Sequence, residues 1–417
     1  MNKIVEVIGG IDVGNGYVKG RLKTANMDAT AIDIPSAVSV MPDVAALKPS
    51  ESEIPSLVNE IYNEMDMVVS ASPVLGAVET KHLFVGRRAV GSRITPRMFD
   101  IASARSKAED KLNVWLLLAC VCGKALQDVY VTEGGFPHEF VDVHAKIAVA
   151  LPIREYKTSG KAFKDAMMSS VHTVQICNFE EPVVMQVTFD NIAVVPEGFA
   201  AQYAITQGGG VNLMSSLIQY GRAIMDTMPD DIRKDNLIYS VTPEMVLAAR
   251  NTIGIDIGEG TVNFPVFRDG KPNTDISTNI PMGYGMVLEN AREELESVGH
   301  NFSDRKALSE YLNHEPTPLN MRKYGVVQEY VKKHMDVLVS NILSAFTRTL
   351  RASGAQTEVV YVYGGGATPL RDMLYKALLD EMSKNKQEDC LVLYMDSSWS
   401  RTLNREGLYI VGNSLTD

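Results

Sequence analysis

Two short segments of the chain combine an aspartate with two closely spaced glycines. Residues 10–18 read GIDVGNGYV and residues 254–262 read GIDIGEGTV, so six of the nine positions are identical. Glycine lets the backbone come close to an anion and point its amide N–H groups at it. An aspartate beside such a turn can hold Mg²⁺, which neutralises phosphate charge. The pattern therefore predicts two phosphate-binding turns, each with a magnesium-binding aspartate, Asp12 and Asp256.

Eight further residues of these turns are predicted to contact the phosphates. They are Gly14, Asn15, Gly16 and Lys19 in the first copy, and Gly258, Glu259, Gly260 and Thr261 in the second. The Lys19 ammonium adds a cationic contact. Two such turns facing each other would clamp the phosphates. A dinucleotide-binding loop does not fit, because Lys19 and Asn263 stand in place of its third glycine and extended runs rather than helices follow. A Walker A loop does not fit either, since Gly160-Lys161 lacks the upstream glycine.

A third glycine-rich segment, VVYVYGGGA, spans residues 359–367. Its first five residues are typical of a buried strand, and we predict a helix over about 369–379. A turn without side chains at a helix N-terminus can lie flat against a base or a sugar. Gly364, Gly365 and Gly366 are therefore candidate nucleotide contacts, with an ordinary strand-end turn as the alternative interpretation.

The elements around these motifs indicate an α/β fold. Each aspartate-glycine segment lies between extended runs and is predicted to be a strand-turn-strand hairpin, with strands at 4–8 and 17–22, and at 252–255 and 262–267. Strand-like runs then alternate with helical runs: strands at 129–132 and 183–189, helices at 107–126 and 160–170. Residues 41–53 are predicted to be a loop, and residues 208–250 an insertion or a linker.

Length and composition limit the possible function classes. A chain of 417 residues is long enough for two to four domains. Its formal net charge of −11 should repel DNA and anionic lipid, so contact with DNA should need a basic partner. The cysteines and histidines show no metal-ligand spacing, and Glu6 and Asp12 in the first apolar stretch argue against a secretory signal. The longest apolar run, residues 114–122, is shorter than the roughly 20 residues that span a bilayer. We expect a soluble cytoplasmic protein without membrane contact.

In their order along the chain, the three glycine-rich segments resemble the phosphate-1, phosphate-2 and adenosine motifs of the actin superfamily, specifically its bacterial plasmid-segregation branch, the ParM type. Residues 84–89 (FVGRRA), 149–156 (VALPIREY) and 194–201 (VVPEGFAA) look like segments at corresponding places in that branch. The resemblance covers nearly the whole chain apart from about 208–250. It implies an actin-like (ribonuclease H-like) duplicated two-domain α/β fold with a nucleotide cleft between the domains.

The resemblance also implies domain boundaries and a catalytic residue. Domain I is expected to comprise residues 1–205 and about 395–417, and domain II residues 206–394, with peripheral subdomains at about 33–100 and about 280–340. Glu197 occupies the interdomain-helix position at which a Glu or Gln orients the water that attacks the γ-phosphate. Pro196 followed by Glu197 is also a common helix start, which is the alternative interpretation.

Two turn residues depart from the family pattern. Asn15 stands where the family usually offers a Ser or Thr hydroxyl, and its amide can still donate to a phosphate. Glu259 resembles the acid found at this place in eukaryotic actin. For the adenine and ribose, Arg322 and Lys323 on a helix of the second domain are candidate contacts, with a solvated helix face as an equally good interpretation. Gly283 and Gly285, near the cleft, are slightly better placed.

The implied activity is hydrolysis of ATP, or of GTP as the alternative, with Mg²⁺, coupled to filament assembly and disassembly. The same fold serves small-molecule kinases and chaperones. A kinase would need an acceptor pocket with its own base, which the sequence does not suggest. A chaperone would need a substrate-binding domain after Gly366, for which the following 51 residues are expected to be too few. We therefore predict a self-assembling filament that segregates plasmid DNA through a small basic DNA-binding adaptor, without binding DNA itself. Cell-shape or organelle-positioning filaments are the alternative.

Overall fold

The computed structural model describes residues 3–42, 48–75, 80–101, 106–234, 236–354, 356–387 and 389–416. The chain forms two compact units, Met1–Ala204 with Asn404–Asp417, and Ile205–Leu403. Each unit has its own sheet. The domain boundaries near residues 205 and 395, and the peripheral subdomains at about 33–100 and 280–340, stay predictions. Of the loop expected at 41–53, residues 43–47 lie outside the described ranges.

The first unit is built on a nine-stranded mixed sheet. Its strands are β1 (Lys3–Val13), β2 (Tyr17–Lys23), β3 (Thr30–Pro35), β4 (Val38–Val40), β5 (Asp66–Ala71), β6 (Lys81–Val85), β7 (Val141–Leu151), β8 (Val171–Ile176) and β9 (Val183–Pro196). They lie in the order β3-β2-β1-β7-β9-β8-β5-β6-β4. Strand β7 pairs in parallel with β1 and with β9. The predicted hairpin is confirmed, because β1 and β2 pair antiparallel on either side of the first glycine turn.

Among the described residues of the segment up to Ala204, the helices of this unit are α1 (Ile54–Asn59), α2 (Ile61–Glu64), α3 (Arg87–Val90), α4 (Lys111–Glu133), α5 (Ile153–Met168) and α6 (Phe199–Tyr203). Helix α4 packs on β1 and β2, and α5 packs on β9. The helices predicted at 107–126 and 160–170 are confirmed as α4 and α5, although α5 begins at Ile153.

The strand predicted at 129–132 is wrong, because these residues form the last turn of α4. Asp110 caps the start of the helix, because its side chain accepts a hydrogen bond from the Leu112 amide at 2.9 Å. Gly134 caps the other end in a left-handed conformation with φ of 70°. The β-branched residues Val129, Val131 and Thr132 favour a strand locally, but a buried helix with a glycine stop overrides that preference.

Helix α4 is the one described helix that is long and apolar enough to cross a membrane by length and composition alone. The apolar run at 114–122 is thus part of a 23-residue helix. Within the first unit, 89% of its most apolar 18-residue window is buried. Such burial is typical of the core helix of a folded domain, so this criterion is weak evidence for a membrane span.

The second unit has a seven-stranded sheet. Its strands are β10 (Thr252–Ile257), β11 (Val262–Phe264), β12 (Val266–Arg268), β13 (Lys271–Pro272), β14 (Thr278–Ile280), β15 (Val359–Tyr363) and β16 (Leu391–Tyr394). Strand β10 pairs antiparallel with β11 and β12, and in parallel with β15. The second predicted hairpin and the buried strand at 359–363 are confirmed. The extended run at 262–267 is divided at Pro265, which has no N–H to donate to the ladder.

In the part of the second unit that the structure describes, the helices are α7 (Gly210–Met225), α8 (Asp230–Arg233), α9 (Pro243–Ala248), α10 (Tyr284–Ser297), α11 (Arg305–Asn313), α12 (Met321–Ala352), α13 (Ala367–Lys384) and α14 (Ser397–Ser400). The stretch interpreted as an insertion or a linker is therefore mostly helical. Its main helix, α7, packs against β16, where Gly221 allows close contact with Leu393 and Ile238. The helix predicted at 369–379 is confirmed as α13.

The last helix, α15 (Leu403–Asn413), lies against β1 of the first unit through glycine contacts. A β-carbon on Gly10 would lie 2.3 Å from the Leu408 carbonyl carbon, and one on Gly412 would lie 1.9 Å from the Gly9 oxygen. Neither distance is possible for a real side chain. These glycines therefore let α15 support the strand that carries Asp12.

Candidate functional site

The first glycine turn connects β1 to β2 directly after Asp12. The Gly14 amide donates to the Tyr17 carbonyl at 3.0 Å and closes the turn. Ser36 holds the turn from outside, because its hydroxyl donates to the Gly14 carbonyl at 2.6 Å and its amide donates to the Gly16 carbonyl at 2.9 Å. A β-carbon on Gly14 would lie 2.7 Å from the Tyr17 oxygen, so glycine is required there. Asn15 is half-buried at the tip of the turn.

Asp12 lies near two cationic side chains and one carboxylate. Burial raises its pKa above the ordinary value, Glu197 adds to that rise, and the charges of Lys107 and Lys19 oppose it. Lys19 is the residue paired with Asp12 across the β1–β2 hairpin. The structure thus places Asp12, Lys19 and Glu197 in one electrostatic cluster, and adds Lys107, which the sequence did not suggest.

Lys107 and Glu197 form a buried ion pair. The Lys107 ammonium donates to Glu197 Oε1 at 2.9 Å, and the two residues are 6% and 9% exposed. Burial alone would lower the pKa of Lys107, but the charges of Glu197 and Asp12 outweigh burial and raise it. Glu155 positions the turn that carries Lys107, because it accepts hydrogen bonds from the Ser106 hydroxyl at 2.9 Å and from the Ala108 amide at 3.1 Å.

Glu197 does not lie in a helix, so the helix start expected at Pro196 is wrong. Pro196 is the last residue of β9, and the Glu197 amide continues the strand pairing by donating to the Leu151 carbonyl at 2.7 Å. Gly198, with φ of 84°, breaks the strand, and α6 begins at Phe199. The carboxylate is therefore fixed on the tight turn that precedes the helix.

The second glycine turn repeats the first within the other unit. The Gly258 amide donates to the Thr261 carbonyl at 2.9 Å, as Gly14 does to Tyr17. The N-terminus of α10 lies against this turn, because the Tyr284 amide donates to the Gly258 carbonyl at 3.0 Å and the Gly285 amide donates to the Glu259 carbonyl at 2.8 Å. A β-carbon on Gly283 would lie 2.5 Å from the Glu259 oxygen. Gly283 and Gly285 therefore pack directly against the second turn from the start of α10.

The third glycine segment meets the same strand end as Asp256. Gly364 has φ of 98°, and a β-carbon on it would lie 2.4 Å from the Ile257 oxygen and 2.7 Å from Asp256 Oδ1. The Gly366 amide donates to the Ile257 carbonyl at 2.8 Å. Gly365, between them, has open space around its α-carbon. The structure thus gathers Asp256, the second glycine turn, the glycines at the start of α10 and the glycine-rich segment after β15 within the second unit.

Lys323 and Arg322, the other candidate base contacts, lie at the beginning of α12. The Lys323 ammonium packs over the ring of Phe302 at 4.9 Å and the ring of Tyr311 at 5.4 Å. Arg322 is exposed. Lys323 is therefore engaged in an aromatic cluster, and an assignment of either residue to the adenine or ribose stays a prediction.

Asp12 and Asp256 fit the ligand preference of Mg²⁺. Among the residues that the structure describes, no group of three or more His, Cys, Asp or Glu side chains is arranged to hold a metal ion. Mg²⁺ does not need such a group, because it usually keeps several waters and takes one or two carboxylates together with phosphate oxygens. A single aspartate at each phosphate turn fits that preference. Asp256 is 5% exposed and borders the closely packed Gly364.

Comparison with known proteins agrees with this arrangement. The family model described as "Archaeal actin homologue MreB-like, C-terminal" matches residues 254–376, a range that contains Asp256, the second glycine turn and the glycines at 283, 285 and 364–366. No curated protein matched the chain significantly.

Solved structures match over almost the whole chain. A 15-stranded ParM filament from Clostridium botulinum is 16% identical, with a TM-score of 0.59, and the alignment covers 99% of this chain and 100% of that one. ParM of Bacillus thuringiensis with ATP is 15% identical, with a TM-score of 0.58 and 99% of each chain covered. The archaeal actin homologue Ta0583 is 16% identical, with a TM-score of 0.59 and coverages of 98% and 99%. The predicted actin-like fold is confirmed: the chain has the fold of actin-like filament proteins.

Proposed function

We propose that this protein is an actin-like ATPase that binds Mg-ATP and assembles into filaments. The observation that carries the proposal is the repeated turn, in which an aspartate at a strand end precedes a glycine amide that closes the same hydrogen bond in both units. The actin-like fold supports it. ParM of Bacillus thuringiensis was solved with ATP and with ADP, and the Clostridium botulinum protein as a filament.

Each part of the candidate site has a role in this proposal. Asp12 and Asp256 hold the metal, and amides of the two turns bind phosphate together with Lys19. The glycines at 283, 285 and 364–366 line the base and sugar. Bound Mg-ATP supplies the phosphoryl group and a metal that neutralises its charge. Glu197 orients the attacking water, and Lys107 fixes the Glu197 carboxylate by its hydrogen bond at 2.9 Å.

Calorimetric titration with Mg-ATP tests the binding part of the proposal. Asp256→Ala and Asp12→Ala should each weaken binding by at least about tenfold, the effect of losing roughly 1.4 kcal/mol of interaction. The control is Asp372→Ala, whose side chain is 85% exposed on α13. Affinity of Asp256→Ala equal to that of the control would remove this aspartate from the site. GTP in place of ATP in the same titration tests the alternative nucleotide.

We further propose that the filament acts in the cytoplasm to segregate plasmid DNA through a small basic adaptor. The chain has 51 acidic and 40 basic side chains, and a polymer of acidic subunits repels DNA more strongly with every subunit added. In a mobility-shift assay at about physiological salt, the pure protein with Mg-ATP should leave DNA unshifted. A clear shift would show that the chain contacts DNA itself and would contradict the need for an adaptor. A filament that neither binds an adaptor nor moves DNA would favour the cell-shape alternative.

A further inference from the structure

The second glycine turn is tied to α11 by one ion pair. Arg305, the first residue of α11, donates from Nε to Glu259 Oε1 at 2.5 Å. The side chains of Arg305 and Glu259 are 18% and 29% exposed, so solvent screens the pair less than it screens a surface pair. Glu259 is the middle residue of the turn between Gly258 and Gly260. The pair therefore connects the candidate phosphate turn to a helix that begins 46 residues later in the chain.

The main chain of the turn is already fixed by other contacts. Its Gly258 and Glu259 carbonyls accept hydrogen bonds from the N-terminus of α10, and its Gly258 amide is bound to Thr261. The side chain of Glu259 is thus not needed to close the turn. What the side chain adds is a connection to α11, which packs on α10 and α12.

Stability alone does not explain the arrangement of Arg305. Its Nη2 atom is buried and has no hydrogen-bond partner among the described residues. A buried donor without an acceptor destabilises the folded state, and a partly buried ion pair gives little stability in return. An arrangement that is unfavourable for folding calls for a specific explanation, and a functional role is one.

We propose that Arg305 is a positioning residue for nucleotide binding, which acts through Glu259 and couples occupancy of the second turn to the order of α11. The inference rests on the proposed function, since it requires that this turn binds phosphate. Coupling of this kind is reciprocal: if α11 and Arg305 hold the turn in its binding geometry, bound nucleotide stabilises α11 by the same free energy.

Charge reversal in the full-length protein tests whether the two residues act as a pair. Arg305→Glu and Glu259→Arg should each weaken Mg-ATP binding by about tenfold, within the usual range of coupling between sites, and the double exchange should recover most of the loss. Arg292→Ala is the control, because it removes an ion pair with Glu289 on α10 that does not involve the turn. Thermal unfolding without nucleotide identifies any variant that has lost its fold. If Arg305→Glu is such a variant, Arg305→Gln is measured in its place.

Hydrogen exchange provides a readout that a purely structural pair would not change. In the wild-type protein, Mg-ATP should slow exchange of the amides at 305–313, and in Arg305→Gln this protection should be lost. Wild-type-like affinity for Mg-ATP in both Arg305→Glu and Arg305→Gln would overturn the inference. So would a charge-swapped double variant that does not recover the affinity lost in the single variants, or hydrogen exchange in α11 that Mg-ATP does not change. A wild-type protein that does not bind Mg-ATP at all would instead overturn the proposed function, and this inference with it.

Discussion

The Lys107 ammonium and the Glu197 carboxylate are buried against each other beside Asp12. This ion pair therefore affects both the stability of the fold and the proposed hydrolysis of ATP. Taking two charges out of water is unfavourable, and removing one partner leaves the other charge uncompensated. In the proposed reaction, Lys107 holds the carboxylate that orients water. The pair therefore predicts that changes in stability and in catalysis can be separated by the choice of substitution.

Lys107→Met should lower the free energy of unfolding by about 3 to 5 kcal/mol, because the Glu197 carboxylate stays buried but loses its 2.9 Å ion pair with Lys107. Lys107→Met combined with Glu197→Gln should recover most of that stability, since neither buried charge remains. Urea denaturation measures both values. Phosphate release by the double variant should be about 100-fold slower than by the wild-type protein, or slower still, because the Glu197 carboxylate is absent. A double variant that regains stability and also hydrolyses ATP at the wild-type rate would contradict the role of Glu197.

The sequence predicted some of these residues and missed others for physical reasons. Asp12 and Asp256 were recognisable because an aspartate and two glycines recur in the same spacing. Lys107 was missed because its neighbours Glu109, Asp110 and Lys111 give the pattern of a solvated stretch, and only tertiary packing buries its ammonium. Ser36, which holds the first turn, was missed because a lone serine after a strand carries no distinguishing pattern.

At the scale of elements, both hairpins and the strand before Gly364 followed from local pattern. The last turn of α4 did not, because Val129, Val131 and Thr132 favour a strand while burial of the long helix against β1 and β2 decides the outcome. Glu197 was expected on a helix, but the β9 strand continues through Pro196 and only the positive φ of Gly198 ends it. The helices between residues 210 and 248 lacked any recognised motif that could place them.

Gly364 gives a prediction at this scale. Gly364→Ala should lower the free energy of unfolding by about 1 to 3 kcal/mol, because its φ of 98° disfavours any side chain and the added methyl would meet Ile257 and Asp256. Gly365→Ala is a matched control on the next residue, since nothing lies within 4 Å of its β-carbon position. Urea denaturation compares the two. Equal stability of both variants would show that the strand end does not need this close approach.

At the scale of the whole molecule, the evidence for the actin-like fold is of a different kind from the evidence that filament assembly requires. Matches of 14% to 17% identity over nearly the full chain support the fold, and this fold also serves proteins that do not polymerise. Assembly depends on surfaces that repeat between subunits, and such surfaces leave no short motif in the sequence. The acidic charge of −11 further requires that contacts between subunits overcome mutual repulsion.

Sedimentation of the pure protein with simultaneous measurement of phosphate release tests this account most directly. With Mg-ATP, the protein should pellet above a critical concentration and release phosphate as it assembles, whereas without nucleotide it should stay in the supernatant. Glu197→Ala, provided that it folds, should pellet with Mg-ATP and stay assembled, because bound ATP persists. A wild-type protein that binds Mg-ATP but stays in the supernatant at every concentration would contradict the filament proposal and favour a small-molecule kinase of the same fold.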